Sequence, residues 1–347
     1  MITKRTFMAA AAAAVLSLPT AGAAFAQDLE TVKIALGWLR NGQYAALMAA
    51  DSEGYFKEEG LNVELLDGGP GKNPVATVGV GQADFGIVFG TSVFRARLAD
   101  TPVDITAVGA LIQGGPYAYI RLADPGSPEP TPKDMEGKRI GIQSDGEVFL
   151  KAFAKANDVD YDSLIIQIVQ GGAEPLLTGQ VDYFSGWVTN QTFQVEMEAA
   201  KADAPANIKG KIWQGMLLSD YAVNSFGDVI IAQTKTVTEK PELVAKVLRA
   251  IAKGLKLAEE RPEYVAKIVA AYPGQLEEED KMVWRMMSGV QNNLAKSDAT
   301  REHGYLWMDA EIWREYQQFY LDTGEITRVM EASEFTTNDM NPGIKSN

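Results

Sequence analysis

The sequence predicts an α/β protein of two similar units followed by a helical tail, and three observations carry that expectation. Short apolar strands alternate with helical patterns through glycine-rich joins, as in a mostly parallel sheet flanked by helices. A break in composition at residues 124–137, with Pro125, Pro128, Pro130 and Pro132, separates one such alternation from a second. Beyond Ala232 the pattern is almost wholly helical. A length of 347 residues suits about two domains.

In the first unit, residues 32–36 read as a strand ending at Gly37, and 44–52 as a helix stopped by Glu53-Gly54. Residues 62–66, 83–89 and 103–112 are the next strands, with helices at 73–79 and 92–98 between them. After the proline-rich break, strands are expected at 139–142, 164–169 and 181–185, and helices at 147–157 and 174–178. A last strand covers 228–232. Helices then follow at 242–259, 263–271, 277–294 and 310–321. Pro241 and Pro262 open two of them, where the fixed φ of proline suits a first helical position. Met282, Met286 and Met287 recur at helical spacing, which predicts a buried stripe in preference to a ligand contact. The polar stretch after Glu331 is expected to fray.

Composition removes much chemistry. With no Cys there is no disulfide, thiol nucleophile or thiolate metal site. The single His, His303, excludes a His-pair metal site, and its charged neighbours predict a solvated side chain. No cofactor is expected. A net charge of −14, from 32 Lys+Arg against 46 Asp+Glu, argues against a nucleic-acid partner. Residues 1–26 read as a cleavable export peptide. Lys4 and Arg5 precede an apolar run over 7–18, Pro19 breaks it, and Ala24-Phe25-Ala26 supplies small residues before Gln27. That run is well short of the roughly 20 apolar residues a membrane span needs, and no later segment reaches that length. The expected product is periplasmic, cleaved after Ala26 and, lacking a Cys there, not lipid-anchored.

Several segments together resemble a known family: Gly37-Trp38-Leu39-Arg40-Asn41, the run 49–64, Gly81-Gln82-Ala83-Asp84-Phe85-Gly86, the run 131–141 and Lys240-Pro241-Glu242-Leu243-Val244. They resemble the substrate-binding proteins of ABC importers for sulfonates, taurine, nitrate and the pyrimidine precursor of thiamine. The resemblance spans residues 32–270. It implies a two-lobed periplasmic-binding-protein type II fold, with lobe 1 made of 27–122 and 227–347 and lobe 2 of 123–226. It implies capture of a small-molecule ligand between the lobes, closing through crossovers near 117–123 and 224–230. Permease subunits would be the partners, the membrane would be met only through them, and no bond would be made or broken. An enzyme is the second class, because fungal synthases of the thiamine pyrimidine share the fold. Those use a cysteine-rich segment and an active-site histidine, which this chain does not match. Most of the shared motifs are architectural, with Asp84 and Asp134 expected to cap or close turns.

Ligand contacts are expected in the loops beyond the C-terminal strand ends. In the first unit these are Trp38, Asn41, Tyr44, Phe89, Thr91, Gln113 and Tyr117. In the second they are Asp145, Glu147, Trp187, Asn190 and Tyr221. Each aromatic offers ~150–250 Å² of contact, and two or three stacked on a flat ring with amides at its edge make a heterocycle site. Asp145, Glu147 or Asp182 could pair with a ring amine. Equally, Ser144 and Glu147 fit a capping box, and Asp182 a turn. Relatives for the thiamine precursor usually carry Thr-Pro-Asn where this chain has Leu39-Arg40-Asn41, which keeps the tryptophan and asparagine and adds a cation. A sulfonate, taurine or nitrate ligand would need cations, which these loops offer at Arg40 and Lys72. The favoured ligand is a small flat nitrogen heterocycle such as an aminopyrimidine, with the anions as the alternative.

Overall fold

The computed structural model describes residues 29–69, 71–143, 146–169, 172–189, 191–221, 224–275, 279–291 and 294–347. The export peptide expected at 1–26 lies outside them. Four strands open the chain: β1 (Glu30–Ala35), β2 (Leu61–Leu66), β3 (Phe85–Phe89) and β4 (Ile105–Ala110). Five more follow: β5 (Tyr117–Ala123), β6 (Arg139–Ile142), β7 (Ile165–Ile168), β8 (Tyr183–Trp187) and β9 (Ile212–Leu217). Strand β10 (Asp228–Gln233) then returns to the first group. The result is two five-stranded sheets, ordered β2-β1-β3-β10-β4 and β7-β6-β8-β5-β9.

The two sheets share one pattern. Three strands run parallel, the fourth is antiparallel to the third, and the fifth is antiparallel to the fourth. The fourth place belongs in each case to the strand just delivered by a crossing, β5 after β4 and β10 after β9. Sequence patterning missed β5 and β9, because neither carries a clean alternation. The boundary expected at 122/123 would fall inside β5, whose pairing with β8 and β9 puts the first crossing before Tyr117.

The helices are α1 (Ala45–Ser52), α2 (Tyr55–Glu58), α3 (Pro74–Gly79), α4 (Gly90–Leu98), α5 (Glu147–Ala156), α6 (Glu174–Leu177), α7 (Gln191–Ala199) and α8 (Leu218–Tyr221). The tail adds α9 (Thr234–Glu239), α10 (Pro241–Glu260), α11 (Pro262–Ala271), α12 (Glu279–Gln291), α13 (Asp298–His303) and α14 (Ala310–Asp322). One face of the first sheet packs on α1, α10 and α11, and the other on α3, α4 and α14. The second sheet is covered by α5 on one side and by α6 and α7 on the other. Helix α10 buries Leu243, Val247, Ile251 and Leu255 along one stripe, and its approach to α1 requires a residue without a side chain. A Cβ at Gly254 would stand 2.1 Å from the Ala46 carbonyl oxygen.

Local chemistry explains the shared motifs. Asp84 accepts the Lys33 backbone N–H at 2.8 Å, and Asp134 completes a capping box with Thr131. Asp182 is held by Arg139, whose guanidinium donates to both carboxylate oxygens. Helix α5 has Gly146 as its N-cap with no side-chain cap bond; Ser144, the expected partner of Glu147 in a capping box, lies outside the described residues. Two tail expectations are corrected. Met282 and Met286 are buried but Met287 faces solvent. The stretch after Glu331 is pinned, because Phe335 is fully buried and its carbonyl accepts the Ala107 N–H while Thr337 donates to Ala107. One buried ring outweighs the polar composition around it. No described helix is long and apolar enough to cross a membrane.

Candidate ligand-binding site

A cavity of about 730 Å³ lies between the two sheets and is closed on a third side by the helical tail. Three of its aromatic residues stand at strand ends. Trp38 follows β1, Phe89 ends β3 and Trp187 ends β8; Trp38 is 47% exposed and Phe89 45%, which leaves their rings free to meet a guest. Phe89 and Trp187 meet edge to face across the cleft, with centroids 5.2 Å apart. Loop architecture aims them. The Tyr44 phenol accepts the Trp38 backbone N–H at 2.7 Å, and the Gln191 amide oxygen accepts that of Trp187 at 2.8 Å. Asn41 caps the turn that follows, accepting from the Gln43 N–H at 2.8 Å.

The floor is polar at one point. Asp228, the first residue of β10, is 3% exposed, and the Gln43 amide donates to it at 2.5 Å. Burial pushes its carboxyl up to about 6, partly offset by the Gln43 bond. Tyr44, buried beside that carboxylate, has its phenol held far above its ordinary value. On the tail side, Glu259 pairs with Lys296 at 3.0 Å and also accepts the Tyr305 hydroxyl. Lys281 and Arg285, one turn apart on α12, and Lys72 after β2 complete a positive wall.

Trp38, Asn41, Tyr44, Phe89 and Trp187 thus share one cavity, together with Gln143, Thr189 and Gln191 from the second unit. The structure does not bring five other expected residues to it. Thr91 engages the buried Tyr316 phenol. Gln113 is buried, donating to the Ala110 and Trp307 carbonyls and accepting from the Ser297 hydroxyl. Tyr117 packs on Tyr119 and Phe149. Glu147 accepts from Tyr161 at 3.2 Å and pairs with Lys151 at 2.7 Å. Tyr221 leans on Phe153. Each spends its side chain on its own unit. Asp145 and Asn190 lie outside the described residues.

The expected cations are also redistributed. Arg40 points away from the cavity, bound to Asp67 at 2.5 Å and to the Leu65 and Pro273 carbonyls. Its place is taken by Lys281, Arg285 and Lys296 from the tail. Sequence reasoning missed these and Asp228. The signal for Asp228 was a lone acid at the head of Val229-Ile230-Ile231-Ala232; for α12 it was a like-charge pair four residues apart, which costs helix stability on its own.

Comparison with known proteins agrees with this architecture. Residues 41–265 match the model of the NMT1/THI5-like family, and the chain belongs to that family. It is 24% identical to the riboflavin-binding protein RibY of Chloroflexus aurantiacus, over 91% of this chain and 87% of that one. It is 26% identical to the formylaminopyrimidine-binding protein of Halalkalibacterium halodurans, over 66% of each. It is 25% identical to the 4-amino-5-hydroxymethyl-2-methylpyrimidine phosphate synthase of Aspergillus parasiticus, over 62% of this chain and 63% of the synthase. The chain therefore spans about two thirds of the length of the last two relatives. The periplasmic aliphatic sulphonate binding protein SsuA of Escherichia coli shares the fold, with a TM-score of 0.63 at 14% identity over 88% of this chain and 91% of that one.

Proposed function

We propose, from membership in that family, that the chain is the exported, periplasmic substrate-binding component of an ABC importer. It captures a small flat nitrogen heterocycle between two lobes and delivers it to membrane permease subunits. Lobe 1 comprises the first sheet and the tail, lobe 2 the second sheet. The observation that carries this reading is the cavity itself: its volume suits a small organic ligand, its aromatics come from both lobes, and one buried carboxylate marks its floor. A ring stacks on Trp38 and Trp187, with Phe89 against its edge. Asp228, oriented by Gln43, accepts an N–H from the ring's amine or amidine edge. The relatives named for riboflavin and formylaminopyrimidine support a nitrogen heterocycle.

A second reading, an alkanesulfonate, taurine or nitrate-like anion, is favoured by Lys72, Lys281 and Arg285 on the cavity wall. An enzyme, as the synthase relatives would suggest, has less support. The sequence holds no Cys, and His303 stacks on Trp307 with centroids 4.1 Å apart, away from the cavity-lining residues. Calorimetry of the chain from Gln27 onward tests all three, using riboflavin, aminopyrimidines, taurine, an alkanesulfonate and nitrate. Micromolar binding, about −8 kcal/mol, is expected for a heterocycle. Binding confined to the sulfonates would replace the first reading with the second, and pyrimidine product formed from pyridoxal phosphate would establish an enzyme.

A further inference from the structure

Two indoles from different parts of the fold share one carboxylate. Trp213 Nε1, on β9, donates to Glu196 Oε1 at 2.7 Å, and Trp284 Nε1, on α12, donates to Glu196 Oε2 at 2.6 Å. Glu196 stands on α7, which covers the second sheet. Helix α12 packs on α11 and over the turn after β1, where a Cβ on Gly42 would lie 3.1 Å from Met282 Sδ. The same helix carries Lys281, Arg285 and Met286 of the cavity wall. It is therefore tied to the first unit by packing, and it meets the second unit at Glu196.

Two neighbouring contacts cross at the same place. Ser288 Oγ donates to the Val188 carbonyl at 3.3 Å, and the Phe193 and Trp284 rings pack with centroids 5.5 Å apart. Val188 sits between Trp187 and Thr189, both of which line the cavity. Whatever holds α12 to α7 also holds the loop after β8 over the ligand space. The chemistry suits a reversible join. A carboxylate has two acceptor oxygens and an indole has one donor, so each oxygen takes one ring. The bond to Trp284 is charge-assisted, yet Glu196 is exposed, so water can replace that indole when the units part while Trp213 remains in place.

We infer that Glu196 is a latch between the two units. It is a positioning residue that, through Trp284, holds α12 and the β8 loop around the cavity, and its release lets the units separate. This goes beyond the proposed function and does not depend on which ligand is carried.

The absence of Cys makes the test direct, since two introduced cysteines are the only labelling sites. Spin labels at Lys57→Cys on α2 and Lys155→Cys on α5, both exposed, report the separation of the units by double electron–electron resonance without ligand. A short-distance population is expected in the otherwise unmodified protein. Trp284→Phe keeps the ring and removes the donor, and should shift the open-to-closed ratio toward open by roughly three- to tenfold, as loss of one hydrogen bond implies. Glu196→Gln should shift it in the same direction. Trp213→Phe removes a donor on the same unit as Glu196 and should leave the ratio within about twofold, which separates a latch from a purely structural role. Thermal melting confirms that each variant is folded. Equal distributions for Trp284→Phe and Trp213→Phe would overturn the latch, as would an unmodified protein found only in the open form. Because no ligand is present, these outcomes are independent of whether the importer reading holds.

Discussion

Replacing Asp228 with asparagine should make the protein more stable and a poorer binder. The carboxyl is fully buried with one amide donor, and moving it from 3.8 to about 6 at about 1.36 kcal/mol per pH unit corresponds to about 3 kcal/mol. The sign follows from proton uptake. The native state holds the Asp228 proton more tightly than the unfolded chain does, so this residue favours folding as pH falls from about 6 toward 4. Above pH 6 the ionised group is buried at its full cost. The introduced side chain would keep the Gln43 bond through its amide oxygen but would bring an N–H₂ group that needs an acceptor, so about 3 kcal/mol is an upper bound. Urea unfolding at pH 7.5 should show Asp228→Asn more stable by about 1–3 kcal/mol, with the difference vanishing near pH 4. Affinity for a heterocycle with an N–H edge should fall at least about tenfold, the trade-off expected where a site stores unfavourable burial. A variant less stable at pH 7.5, or one whose stability follows the same pH profile as the parent, would refute this account of Asp228.

Other expectations follow from the same geometry. Trp38→Ala should weaken ligand binding by about 1–3 kcal/mol with little change in melting temperature, because the ring is half exposed; calorimetry showing unchanged affinity would remove it from the site. Arg40→Ala should cost about 0.5–1.5 kcal/mol of stability by removing its bonds to the Leu65 and Pro273 carbonyls and to the solvent-exposed Asp67, yet leave affinity within about twofold; lost affinity with intact stability would contradict its placement. Gly254→Ala should destabilise by at least about 2–3 kcal/mol, read from denaturant midpoints, since backbone stands where the methyl would go. Affinity for a neutral ring with an N–H edge should decline as pH drops below about 6, when Asp228 takes up its proton, and a flat titration between pH 7.5 and 5 would exclude that contact.

Much of the architecture is legible in local sequence because local sequence causes it. The three parallel strands of each sheet, the Asn73-Pro74 helix start and the proline-initiated tail helices all reflect periodicity, capping or fixed φ, which act within a few residues. Trp38, Phe89 and Trp187 were also readable as candidates, since aromatics in glycine-rich joins at strand ends have little core to serve. Strands β5 and β9 were not readable. Their identity comes from pairing partners far along the chain, and β5 gains its place only between β8 and β9.

The charges of the cavity belong wholly to the tertiary structure. Arg40 lies beside Trp38 in sequence but is drawn to Asp67 and to carbonyls of β2 and of the loop after α11, whereas Lys281 and Arg285 arrive from far along the chain, on a helix of the tail. Asp228 titrates near 6 only because β3, β4 and the turn around Gln43 close over it. Sequence alone determined the two α/β units, the helical tail, the exclusion of thiol chemistry and the residues able to offer flat faces. Tertiary structure decided which of those faces share a cavity and which charges meet them. Burial and electrostatics depend on neighbours brought together by folding, and spacing along the chain does not encode them.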